Sequence, residues 1–140
     1  MPARPWIAVL CVAAALSPSA AARQQPVTEA DYQAAMKEIS FLVVDADSHI
    51  DASYWPELGD DVDKLIAQFE KVEAFWTARG TARAADLAQQ ALASIGKLNA
   101  ASRDRNGGAG REAVAELRGV CQSCHEQFRE RTADGFRMKK

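Results

Sequence analysis

Apolar residues recur along this chain at alternating steps of three and four, in four separate segments. Over residues 28–50, Tyr32, Met36, Ile39, Val43, Ala46 and Ile50 fall on one helical face. Thr28-Glu29-Ala30-Asp31 ahead of them resembles a capping box with Thr28 as N-cap. Pro56 and Gly59 mark residues 51–59 as a loop. The next pattern predicts a helix from Asp60, with Asp61 and Asp63 at its positive end. Its stripe is Val62, Leu65 or Ile66, Phe69, Val72 and Trp76, and Gly80 stops it. Thr81 can cap a third helix reaching about Ala101, with Ala84, Leu87, Ala91, Ser94 and Leu98 on one stripe. Leu92 and Ile95 widen that stripe. Asn106-Gly107-Gly108 reads as part of a flexible connection, and a fourth helix follows over residues 111–131. Its seam is Val114, Leu117, Cys121, Cys124 and Phe128. No segment reads as a strand and no repeat is visible. The expected fold is all-α, an antiparallel four-helix bundle.

The N-terminus follows a different pattern. Arg4 precedes an apolar run from Trp6 to Leu16, then Pro18 and the small residues Ala20-Ala21-Ala22. This reads as a secretory signal peptide over residues 1–22, cleaved after about Ala22. The run is too short for a transmembrane helix. Cys11 lies inside it, and its neighbours Val9-Leu10 do not suit a lipid-modified cysteine. Residues 23–140 then form one domain. Lys and Arg number 17 against 19 Asp and Glu, which gives no nucleic-acid footprint. The basic residues at Arg129, Arg131 and 137–140 read as a solvated tail.

The mature chain keeps two cysteines, in Cys121-Gln122-Ser123-Cys124-His125. C-x-x-C-H is the attachment signature of a c-type haem. Each thiol can form a thioether with a haem vinyl group, and His125 stands where its imidazole can bind the iron. A thioredoxin-like pair would need a βαβ context, which the chain lacks. Structural zinc would need four ligands. A disulfide suits an exported chain, but the adjoining His125 tips the reading to one covalently bound haem c. Haem is attached outside the bacterial cytoplasm, so the periplasm is the expected destination. Arg129 lies four residues beyond His125, near its imidazole, near a haem propionate or simply in solvent. Met36 is the best thioether for the opposite face of the iron, although spacing alone also suits a core gap-filler. Met138 falls in the polar tail and Met1 in the leader. His49 permits a bis-His site but reads better as a surface residue. Phe75 and Trp76 belong beside the cofactor or in the core.

These residues resemble the class II cytochromes c, the cytochrome c′ group and its low-spin relatives. The ending Cys121–Arg129 is similar to their C-x-x-C-H-x-x-(aromatic)-Arg, and Gln33 and Met36 match their R-Q-x-x-M-K segment. The resemblance implies a haem among four antiparallel helices, His125 as proximal ligand and Arg129 beside it. It also implies Met36 as the distal ligand of low-spin members, and dimers through the first two helices. Tyr32 stands where the family has Arg, and the stretch from Phe41 to Asp51 is unlike the common pattern.

The expected function is periplasmic electron transfer through a haem held by His125 and Met36. Partners would be periplasmic or membrane-bound redox proteins, with peripheral membrane contact at most. The alternative is a five-coordinate binder of small gases such as nitric oxide or carbon monoxide, with Met36 merely covering the pocket. A third class is a haem-free helical protein with a redox-active Cys121–Cys124 pair. No Ser–His–Asp set, catalytic carboxylate pair or phosphate loop points to an enzyme.

Overall fold

The computed structural model of the protein describes residues 25–139. The leader expected over residues 1–22 lies outside them. Four helices follow in chain order: α1 (Glu29–Ala52), α2 (Trp55–Ala78), α3 (Ala82–Arg103) and α4 (Gly107–Phe128). Two short strands, β1 (Arg129–Thr132) and β2 (Gly135–Met138), close the chain as an antiparallel hairpin.

Helix α1 starts as the sequence predicts. The Thr28 backbone N–H donates to Asp31 Oδ2 at 2.9 Å, and the Asp31 N–H donates to Thr28 Oγ1 at 3.2 Å. Helix α2 starts earlier than expected, at Trp55 rather than Asp60. Pro56 belongs to its first turn, where a missing N–H costs nothing. Packing also favours the longer helix: Leu58 is fully buried, and Ser102 Oγ donates to the Trp55 carbonyl at 3.2 Å. Asp61 is therefore no terminal charge. It is buried, with Oδ2 2.7 Å from His49 Nδ1. Helix α4 likewise starts through the glycines, because Asn106 Oδ1 accepts from the Ala109 N–H at 3.0 Å. Gly110 is buried against Ile50 of α1, where close approach leaves little room for a side chain.

Only residues 53–54, 79–81 and 104–106 separate the helices, so neighbours run antiparallel. α2 packs on α1 and α3, and α3 on α4. Lys97 of α3 meets Glu116 of α4 at 2.7 Å, and Gln89 of α3 donates to Glu73 of α2 at 2.7 Å. α1 and α4 meet over a shorter stretch than the other pairs. Their ion pairs, Asp51–Arg111 and Asp47–Arg118, join the C-terminal half of α1 to the start and the middle of α4. The closest approach of the two helices is at Gly110 and Ile50, one end of the seam. The core otherwise follows the predicted stripes: Ile39, Val43, Val62, Leu65, Phe69, Ile95, Leu98, Val114 and Leu117 are all buried.

Candidate functional site

The departures from the predicted core fall together. Met36 of α1 and Cys121, Cys124 and Phe128 of α4 are only half-buried, although each continues a seam. The buried residues of α4 stop at Leu117. α1 and α4 part at this end of the bundle, and cavities open between them. One of about 300 Å³ is lined by Tyr32, Met36, Ser40, His125, Phe128 and Met138, among others. A second, of about 230 Å³, lies between Met36, Ile39, Ser40 and Val43 on α1 and Arg118, Cys121 and His125 on α4. The two share Met36, Ser40 and His125. A third hollow, of about 450 Å³, is lined by Cys121, His125, Arg118, Arg129, Arg131 and Phe136.

The structure therefore brings Cys121, His125 and Met36 around one gap, with Cys124 on the turn between the first two. His49 is excluded from this group. It sits thirteen residues beyond Met36 along α1, about 20 Å by helical rise, and is engaged with Asp61. Phe75 and Trp76 are buried in an aromatic cluster behind the gap. Tyr32 stacks on Phe75 with centroids 4.5 Å apart, and Trp76 lies 5.4 Å from Phe128. Trp76 Nε1 is buried with no hydrogen bond of good geometry among the described residues.

Arg129 is not a helical neighbour of His125, as the spacing suggested. It caps α4 in extended conformation and opens β1, because the chain leaves the helix after Phe128. Its guanidinium lies 4.0 Å from the centre of the Phe136 ring, with Arg131 at 5.3 Å from the same ring. It still reaches His125 electrostatically. Burial, and then the Arg129 charge, hold the His125 imidazole below its ordinary pKa. A neutral imidazole is the form that binds a metal.

The thiols are free and also shifted. Burial, with Cys124 beside it, pushes Cys121 up to about 11, and burial raises Cys124. They sit in the C-terminal half of α4, away from the helix end that would favour a thiolate. This is the reverse of the environment of a reactive redox pair. Among the described residues, no three His, Cys, Asp or Glu side chains cluster as a metal site. A haem iron makes a smaller demand, because the porphyrin brings its own equatorial nitrogens and asks for axial ligands only. Cys121 and His125 on α4, with Cys124 on the same turn and the Met36 thioether across the gap, fit that group.

The sequence reading missed the hairpin, and with it Phe136 and Met138. Met138 is not in a free tail: it packs against the core and lines the cavity that Met36 and His125 share. The available signal was Gly135: the chain turns through Ala133 and Asp134, and Gly135 after them adopts φ 135°. The flanking residues are too polar to read as strands.

No helix among the described residues is long and apolar enough to cross a membrane. Compared with known protein families, curated proteins and solved structures, the chain matches none.

Proposed function

We propose that this protein is an exported, periplasmic c-type cytochrome that carries electrons. Cys121 and Cys124 would hold one haem c by thioethers, and His125 of α4 and Met36 of α1 would be the residues that bind its iron. The observation that carries this reading is the coincidence of two independent features. C-x-x-C-H lies where α1 and α4 part, and the cavities there are shared by His125 and Met36. When bound, the haem supplies a one-electron iron couple.

The chain's own residues do the rest. His125 and Met36 stand on two long antiparallel helices of one bundle, which would hold them on opposite sides of the gap. A fixed ligand pair keeps structural change between oxidation states small. A thioether ligand raises the potential relative to a second imidazole. Tyr32, Phe128 and the aromatic cluster wall the gap from solvent on the bundle side. The arginines at its outer rim offer donors to carboxylates, including haem propionates. Electrons would pass at the partly open edge, to partners that dock through a small and transient surface.

Mass spectrometry of the protein matured in a host that attaches haem tests the cofactor. The parent should carry one covalent haem, and a C121S/C124S variant none. A parent chain of unmodified mass would end the proposal. An oxidised protein with a high-spin, five-coordinate spectrum and fast carbon monoxide binding when reduced would replace the carrier by a gas binder.

A further inference from the structure

The cavity between α1 and α4 contains two thioethers. Met36 is fixed on α1, and Met138 reaches the same cavity from the end of β2. β1 and β2 pair in the register Arg129↔Met138 and Arg131↔Phe136, which folds the last residues back over the end of α4. The return is anchored on α4 itself. The Lys139 N–H donates to the Phe128 carbonyl at 2.8 Å, and Lys139 Nζ to the Glu126 carbonyl at 2.6 Å. Arg129 and Arg131 both lie against the Phe136 ring, and Arg137 is 2.6 Å from Glu130. These contacts hold Met138 at the mouth of the gap, half-buried on the core.

The geometry points to Met138 as a second thioether at this cavity that could hold the same iron when Met36 does not. This rests on the haem reading above and deepens it. The two donors are chemically identical, and they differ in what carries them. Met36 belongs to a helix locked in the bundle. Met138 belongs to a two-stranded hairpin, an element of marginal stability by itself. The site thus draws one thioether from a bundle helix and one from a short hairpin pinned to α4. No bond is made or broken elsewhere and no electron is gained or lost when one sulfur replaces the other.

The test uses the full chain with haem attached and four proteins: parent, M36L, M138L and M36L/M138L. Leucine keeps the side-chain volume and removes the sulfur. Intact mass confirms covalent haem in each, and the oxidised spectrum reports spin state and the methionine–iron charge-transfer band. The expected result is that both single variants stay low-spin and keep the band, while the double variant loses it and turns high-spin. Ending the M36L chain after Thr132 should cause the same loss, by removing β2. M36L alone turning five-coordinate, the double variant keeping the band, or a parent that is five-coordinate would each overturn the role of Met138 and leave the covalent haem standing. A parent without haem mass would instead overturn the cytochrome reading itself.

Discussion

Tyr32 sits where α1 faces the aromatic cluster, and its phenol is pushed up to about 12, first by burial and then by the neighbouring Cys124. The shift has a consequence for stability. Below the ordinary value of 10.0 the phenol is protonated in the folded and the unfolded chain alike. Between there and about 12 only the unfolded chain ionises, so stability falls as pH rises through that window. The loss approaches ~2–3 kcal/mol. Urea midpoints of parent and Y32F, compared near neutral pH and in strong alkali, should show a shallower alkaline loss for Y32F; equal losses contradict the burial argument. At this scale the sequence was informative wherever chemistry is local. Cys121, Cys124 and His125 fall within five residues, and one helix presents them whatever surrounds it. It was uninformative for Asp61, taken for a terminal charge. Its partner His49 is on another helix, and only packing makes the pair.

Among the elements, α1 and α4 form the one seam that is tight at one end and open at the other. The tight end depends on Gly110. A Cβ there would lie 3.2 Å from Ile50 Cδ1 and 3.3 Å from its Cγ1, and Ile50 is itself buried. Alanine is the better helix former, yet here crowding outweighs its preference of about 1 kcal/mol. G110A should lose ~1–3 kcal/mol in urea unfolding, and adding I50V should restore part of it. A G110A protein as stable as the parent would show that the helices can separate freely at that end. Helix starts were the least legible feature. Pro56, Gly107 and Gly108 all signal breaks locally, but a first-turn proline and an asparagine cap make them helical. The hairpin was illegible for another reason: strands that carry mostly charged residues have no apolar alternation to read.

On the scale of the whole molecule, the bundle is complete on three seams and incomplete on the fourth. α2 and α3 are buried along their length, whereas α4 beyond Leu117 is covered only in part. Regions with few buried apolar contacts open first. In the haem-free C121S/C124S protein, hydrogen exchange should therefore be fastest in the last two turns of α4 and the hairpin, and slowest in α2 and α3. Haem loading should protect α4 and the start of α1, where ligand binding adds stability to the folded state alone. Uniform protection along α4 without haem would mean that the gap needs no occupant. The sequence by itself determined the four helices and set two thiols and an imidazole within five residues, because periodicity and local spacing are written in short windows. Tertiary structure decided that the gap lies between α1 and α4, that His49 stands apart from it, and that Met138 joins Met36 there. Those facts depend on how distant segments pack, which no single stretch of the chain encodes.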